Sequence, residues 1–336
     1  ANEFYSKSAE LGNSQAILNA NSGKQEESKE KSDSESLLSS NENDHNNKDN
    51  KNKKKSDADA LYNLAHLYEK GKGVKQDYAK ALEYYSKSAK QGDSDALFKL
   101  GEIYAKGKGV EQDYTKAIEY YEHSAKLDNT AALFKLAYLY ETGQFVTRDY
   151  SKAVKFYQRL ADLGNTDATF KLGYCYECGL GVEKDYTKAM SYYRKLADQG
   201  NCDAICRIGY LYDRGCGVKQ DYSKAIEYYE KAAEKGDLTT LYNLGLCYEE
   251  GKGVKKDMAT AIDYFQKSAK RGNASALYSL GLCYLNGQGV KQDYSISVEY
   301  YMKAAETGDL TTLYNLGVCY EEGKGVEKDY AKAIDY

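Results

Sequence analysis

Length, composition and charge already exclude several kinds of protein. The chain has 336 residues and a formal net charge of -4, and 29% of its residues are charged, so the totals give no sign of a basic nucleic-acid-binding protein. No apolar run reaches the roughly 20 residues that a membrane-spanning helix needs. The sequence has no Pro and 36 Tyr, and the absence of this helix breaker suits a chain that is nearly all helix.

Residues 1–20 carry the end of a preceding repeat, since Glu3–Ala9 has the same pattern as Glu83–Ala89. Residues 21–56 then consist mainly of Ser, Asn, Lys, Glu and Asp. This composition buries too little apolar surface to offset the entropy of ordering, so we expect residues 21–56 to be a disordered low-complexity insert. A phosphorylation segment at its acidic serines and a nuclear-import patch at its lysines are alternatives to a plain solvated insert.

From residue 57 to residue 336 one motif returns every 36 residues. Its first copy is the run GKGVKQDY at 71–78. A fixed period of this length is the sequence signature of a helical repeat array. The sequence predicts seven full units and a partial eighth, each with two helices, A and B. The units begin at Ala58, Ser94, Thr130, Thr166, Cys202, Leu238, Ala274 and Leu310.

Each unit is predicted to hold two one-sided helices joined by a glycine loop. In the first unit, helix A covers about Asp59 to Lys70, with small and apolar side chains on one face. The loop ends this helix because Gly accepts the left-handed cap conformation. Asp77 is the expected N-cap of helix B, which runs from about Tyr78 to Lys90.

The repeated string resembles the Sel-one-like repeat family, a branch of the tetratricopeptide-type helical solenoids. Residues 97–121 carry it clearly as LxxLGxxYxxGxGVxxDYxKAxxYY, and residues 277–290 repeat its first half. The resemblance implies an all-α fold, a right-handed α-α superhelix of 36-residue helix-turn-helix repeats with a concave binding surface. It also implies scaffold or adaptor roles, including ubiquitin-ligase adaptors in endoplasmic-reticulum quality control.

Several positions depart from the family pattern, among them Tyr84 and Tyr120, which stand where the family often has Trp. Asp128 replaces the Gly after helix B, Phe145 replaces the second loop Gly, and Met258 replaces the loop Tyr. One branch of the family also pairs two cysteines within each unit as a disulfide, and this chain lacks that pairing. A reducing compartment is therefore favoured, and we expect a cytoplasmic location.

The cysteines and glycine loops do not form a recognisable metal or catalytic site. The C-x-x-C at 175–178 and the C-x-x-x-C at 202–206 mimic zinc ligands. Neighbouring A helices that run parallel would separate these two pairs by roughly 15 Å, whereas zinc needs ligands at about 2.3 Å. The GKGV loops lack the ending and the preceding strand of a phosphate loop. We therefore predict no catalytic, cofactor-binding or metal-ligating residues.

The most suggestive pattern lies on helix A, opposite its packing face, where two repeat positions fall within about 60° of each other on the helical wheel. A solvated helix face, on which Tyr shields the core, is the alternative to a binding site. Glu141, Glu177 and Asp213 are expected on the other edge of this face, where they limit the net charge. The cation row is Lys99, Lys135, Lys171 and Arg207, and the tyrosine row is Tyr138, Tyr174 and Tyr210.

Two functions from different classes fit these patterns. The first is a non-catalytic protein–protein interaction scaffold that binds peptide or protein segments on the concave face, with no cofactor and no nucleic acid. We expect an extended acidic-aromatic segment as its ligand. The second is a regulatory or substrate-recruiting module of a larger enzyme, such as a kinase or ubiquitin-ligase complex. The start at Ala1 and the end at Tyr336 inside a motif favour a fragment and motivate this alternative.

Overall fold

The chain is described by a computed structural model for residues 42–235, 237–306 and 309–336. Within these ranges there are sixteen α-helices and no strand. The predicted repeat end at residues 1–20 lies outside the described residues. The helices are α1 Glu42–Lys70, α2 Tyr78–Ala89, α3 Ser94–Lys106, α4 Tyr114–Lys126, α5 Thr130–Thr142, α6 Tyr150–Asp162, α7 Thr166–Cys178, α8 Tyr186–Ala197, α9 Cys202–Arg214, α10 Tyr222–Glu234, α11 Leu238–Glu250, α12 Met258–Ala269, α13 Ala274–Asn286, α14 Tyr294–Ala305, α15 Leu310–Glu322 and α16 Tyr330–Asp335.

The helices alternate between A (odd-numbered) and B (even-numbered). From α2 onward, extensive packing joins helices that follow each other in the chain. This nearest-neighbour packing is what a solenoid requires, because each unit covers its apolar face with the next one. The predicted fold class, an all-α solenoid of 36-residue helix pairs, is confirmed.

An Asp cap marks the start of helix B, and a Gly cap marks the end of helix A. Helix α4 begins after Asp113, whose carboxylate accepts the Lys116 N–H at 2.9 Å. Helix α3 ends at Gly107, which has φ 64° in the left-handed region that Gly adopts without steric cost. The same two devices recur along the array, so the loop geometry is nearly the same in each unit.

Helix α1 begins earlier than the sequence pattern predicts, at Glu42 rather than at about Asp59. Residues 42–58 contain neither Gly nor Pro, so nothing in the chain stops the helix of the first unit from extending backwards. The helix therefore overlaps the end of the segment expected to be disordered. Residues 21–41 of that segment lie outside the described residues.

At two of the positions that depart from the family pattern, the backbone keeps the left-handed conformation that Gly would adopt. Asp128 has φ 57° and Phe145 has φ 63°, a conformation that costs a non-Gly residue free energy. The Asp128 carboxylate accepts a hydrogen bond from Arg159. The Phe145 ring stacks on Tyr114, with ring centroids 3.5 Å apart. New side-chain contacts thus accompany both replacements.

The core is built around one aromatic residue of each B helix from α2 to α14. Gly101 on α3 allows the Tyr121 ring to pack so closely that an added Cβ would lie 2.5 Å from it. The preceding tyrosine, Tyr120, stacks on Tyr104 of α3 at 5.5 Å between ring centroids. These contacts lock helix A against helix B and set which face of helix A stays outside. The buried aromatic residues of the B helices are Tyr85, Tyr121, Tyr157, Tyr193, Tyr229, Phe265 and Tyr301.

Candidate binding face of the A helices

Two cations of the cation row form ion pairs with carboxylates from the preceding unit. The Lys171 ammonium donates to Glu141 Oε1 at 2.9 Å. The Arg207 guanidinium donates to Glu177 Oε1 at 3.2 Å. Glu141 and Glu177 thus offset the charges of Lys171 and Arg207, and each contact crosses from one A helix to the next.

The same two carboxylates also accept hydrogen bonds from buried tyrosines of helix B. The Tyr157 hydroxyl donates to Glu141 Oε2 at 2.5 Å. The Tyr193 hydroxyl donates to Glu177 Oε2 at 2.7 Å. Each carboxylate thus links the helix B of its own unit to the helix A of the next unit. We call this set of three groups the tyrosine–carboxylate–cation bridge.

The bridge at Glu177 is almost closed to solvent, since this side chain is 7% exposed. Burial, and then the neighbouring Glu177 carboxylate, raise the pKa of Tyr193 far above its usual value, so its hydroxyl stays a donor. Burial lowers and the Glu177 carboxylate raises the pKa of Arg207, and the net shift is upward. Arg207 therefore stays charged, and Glu177 already matches that charge.

The remaining two cations belong to units two and three. Lys99 pairs with Glu102 of its own helix at 2.7 Å. Lys135 on α5 is half-buried, and no ion pair or hydrogen bond with another described residue reaches its ammonium. Burial lowers the pKa of Lys135, because a charged ammonium is poorly solvated there. In this row, Lys135 is the cation whose charge is available to a ligand.

The tyrosine row is exposed at one end and covered by cations at the other. Tyr138 is 44% exposed. Tyr174 is half-buried under the Arg207 guanidinium, which lies 5.4 Å from the ring centroid. Tyr210 is half-buried as well, with the Arg214 guanidinium 5.7 Å from its ring centroid. The structure therefore brings the two rows together, and it leaves Tyr138 as the open aromatic surface.

Sequence reasoning missed the bridges, although a signal for them exists. Glu141 and Lys171 are 30 residues apart, as are Glu177 and Arg207. Opposite charges at this spacing recur in successive units and could have indicated a contact between units. The hydroxyl of the buried tyrosine carries no such signal, because its direction depends on how helix B is rotated.

The described residues also bear on metal binding and on the membrane. No cluster of three or more His, Cys, Asp or Glu side chains in this part of the chain is arranged to hold a metal ion. The eight cysteines, all within it, are free thiols, and burial raises the pKa of Cys175 to about 11. None of the helices described is long and apolar enough to cross a membrane.

Tandem helix pairs that share a core and leave one polar face of each A helix outside define an α-helical repeat solenoid. The chain belongs to the Sel1 repeat family, which confirms the resemblance seen in the sequence. The Sel1 repeat model matches residues 1–13, 58–93, 94–129, 130–165, 166–201, 202–237, 240–273, 274–309 and 312–336.

Two of the solved structures that resemble the chain are as follows. One is a protective antigen of uropathogenic Escherichia coli that displays an SLR fold; it is 30% identical over 82% of this chain and 67% of that chain, with a TM-score of 0.55. The other is a Sel1 repeat protein from Oxalobacter formigenes; it is 34% identical over 73% of this chain and 97% of that chain, with a TM-score of 0.62. Comparison with curated proteins gives no significant match.

Proposed function

We propose that this chain is a non-catalytic interaction scaffold. It binds an extended acidic-aromatic segment of a partner protein along the A helices of units two to five, which line the concave face. The observation that carries this proposal is the pair Lys135 and Tyr138, one turn apart on α5. The first has an unmatched charge, and the second has an open aromatic ring. Membership of a helical-repeat family supports the scaffold role.

The two side chains suit an acidic-aromatic ligand for different physical reasons. Tyr138 offers rigid amphipathic area, the kind enriched at binding hot spots. Lys135 attracts a carboxylate, and part of that attraction is screened by salt. Lys171 and Arg207 contribute less charge because Glu141 and Glu177 already match theirs. Binding therefore centres on unit three and weakens at high salt. The free thiols suit a reducing compartment such as the cytoplasm.

The test uses an end-blocked peptide of alternating Glu and Tyr and a double variant, Lys135→Glu with Lys171→Glu. We expect this variant to lose at least tenfold in affinity, because two attractive contacts become repulsive. The matched control is Lys155→Glu with Lys195→Glu, which makes the same charge change at exposed positions on α6 and α8. Fluorescence anisotropy at low and high salt measures the affinity, and circular dichroism checks that both variants are folded.

Retention of cellular partners in a pull-down gives a second reading of the same variants. The proposal is wrong if the folded A-helix variant keeps every partner and the peptide while the helix-B variant loses them. The recruiting module of a larger enzyme would use the same face, and the identity of the captured partners separates the two functions.

A further inference from the structure

One position of the bridge lacks its carboxylate in unit two. Glu69, Glu141 and Glu177 occupy the same place in their units, and Ala105 occupies it in the second unit. Ala lacks the two further carbon atoms and the two oxygens that Glu carries there. Ala105 is half-buried, so the place left by the missing carboxylate faces the surface.

Both donors of the bridge are nevertheless present around Ala105. Tyr121 and Lys135 stand 36 residues before Tyr157 and Lys171, the two groups that hold Glu141 from either side. The repeat thus supplies a hydroxyl and an ammonium for a carboxylate that the chain itself does not provide.

Because unit two lacks this carboxylate, the Tyr121 hydroxyl is left without a partner. Tyr121 is 1% exposed, and its hydroxyl has no hydrogen-bond partner among the described residues. An unpartnered buried donor is uncommon in folded proteins because its desolvation is not offset. The hydroxyls of Tyr157 and Tyr193, in units with a carboxylate, are both partnered.

A second tyrosine whose hydroxyl has no partner also lies in a unit without the carboxylate, and it serves as a comparison. The Tyr301 hydroxyl is buried without a partner, and Leu285 stands where the carboxylate would be. There, however, the following unit supplies Asn315 instead of a cation, and Leu is larger than Ala. The two described tyrosines of this kind therefore differ, and only near Ala105 does an unpartnered buried hydroxyl occur together with a cation at the bridge position.

The charges around Ala105 also favour an anion. Lys135 lies near Glu102 and Lys106, and Glu102 is itself paired with Lys99 and Lys106. Glu102 is held by Lys99 at 2.7 Å and by Lys106 at 3.1 Å. Both of its oxygens are therefore already paired with lysines.

We propose that the place beside Ala105 is a carboxylate subsite, in which the Tyr121 hydroxyl and the Lys135 ammonium bind an Asp or Glu side chain of the partner segment. The partner's carboxylate replaces the one that the chain supplies itself in units three and four. This inference rests on the proposed function for the identity of the ligand. It adds a defined recognition point, with a hydroxyl on one side and a cation on the other.

The first test removes the hydroxyl alone, with Tyr121→Phe. We expect this change to weaken binding of the end-blocked Glu–Tyr peptide about tenfold, since a hydrogen bond to a charged group is lost. The same change at Tyr301 is the matched control, because it deletes an equally buried and unpartnered hydroxyl outside the face. Tyr301→Phe leaves the affinity unchanged. A peptide in which Gln replaces Glu binds wild type and Tyr121→Phe equally.

The second test supplies the missing carboxylate from the chain, with Ala105→Glu. The new side chain pairs with Tyr121 and Lys135 as Glu141 does with Tyr157 and Lys171, so it competes with the peptide. We expect at least a tenfold loss of affinity together with a higher melting temperature. Nuclear magnetic resonance of ¹³C-labelled lysines reads the subsite without the peptide. Acetate shifts the Lys135 signal of wild type and does not shift that of Ala105→Glu.

The outcomes separate the subsite from the proposed function. If the Lys135→Glu and Lys171→Glu variant loses the peptide while Tyr121→Phe and Ala105→Glu bind it as wild type does, the subsite is refuted and the scaffold function stands. If the peptide does not bind wild type but acetate shifts the Lys135 signal as expected, the subsite stands and the proposed ligand is wrong. An acetate response that is the same in wild type and Ala105→Glu overturns the subsite.

Discussion

At the scale of single residues, the bridges determine which polar groups are costly to change. Glu177 is almost fully buried and satisfied by Tyr193 and Arg207. Removing one partner of such a group leaves a buried charge or donor without compensation, which costs more than the contact itself contributes. Glu141, whose side chain is 25% exposed, is better hydrated and should be more tolerant of change. The bridges are therefore expected to hold the middle units together.

Two identical substitutions in different units test this expectation. We expect Tyr193→Phe to lower the free energy of unfolding by about 1.5–3 kcal/mol, since a hydrogen bond to a buried carboxylate is lost. Tyr121→Phe should not lower it and should raise it instead, because the change removes a buried donor that has no partner. Phe265 occupies the same position in another unit, so the ring alone fits. Urea titrations compare the two variants, and equal costs would contradict the role of the bridge.

At the scale of helices, the acidic N-caps are the most regular feature. The Asp257 carboxylate accepts N–H bonds from Ala259 at 3.0 Å and Thr260 at 3.2 Å, and the Thr260 hydroxyl donates to it at 2.8 Å. The hydrogen bonds from the side chain and backbone of Thr260 hold the pKa of Asp257 below its ordinary value. Because the folded-state pKa is lowered, the stability from this cap is present above the unfolded-state pKa, near 3.9, and is lost as pH falls through the folded value.

Asp257→Asn separates the cap from its charge. Asn is as good an N-cap as Asp but does not titrate. We expect the variant to match wild type in melting temperature at pH 7 and to lose less between pH 5 and pH 2. Asp257→Ala, which removes the cap, should melt lower at neutral pH, where the carboxylate of wild type is charged. Thermal melts followed by circular dichroism measure this. An acid response of Asp257→Asn as large as that of wild type would show that the cap charge is unimportant.

At the scale of the whole molecule, the repeat body spans Lys54–Tyr336 and is joined mainly by contacts between consecutive helices. Such an array has nearly additive stability, because each unit interacts with its neighbours alone. The sequence offers an exact place to test this. Residues 238–245 and 310–317 are the same, and each run follows an Asp, at 237 and at 309.

Deleting residues 238–309 removes two units, 72 residues, and joins Asp237 to Leu310 in an unchanged local sequence. We expect the shortened chain to fold with the same helix content per residue. Its melting temperature should be lower, because it has fewer interfaces between units. Circular dichroism gives both quantities. A shortened chain that fails to fold would show that contacts beyond nearest neighbours are essential.

The sequence allowed most of the fold to be predicted, and only part of the site. The period, the glycine loops and caps such as Asp77 are local signals that each unit repeats, so helix bounds followed from them. The start of α1 could not be predicted in this way, because residues 42–58 lack both a stop signal and an apolar pattern. The contact of Lys171 with Glu141 depends on the rotation of one A helix against the next, which no local pattern specifies. The cation row was therefore predicted without its partners.

The central claim is that a partner segment lies on the A-helix face around Ala105, Lys135 and Tyr138. The most direct measurement is photo-crosslinking with the end-blocked Glu–Tyr peptide carrying a benzophenone next to one Glu. Mass spectrometry then maps the crosslinked residues. We predict that crosslinks fall on α3 and α5, at or beside Tyr138, and that they disappear in Ala105→Glu. Crosslinks confined to the B helices, or unchanged in Ala105→Glu, would contradict the account.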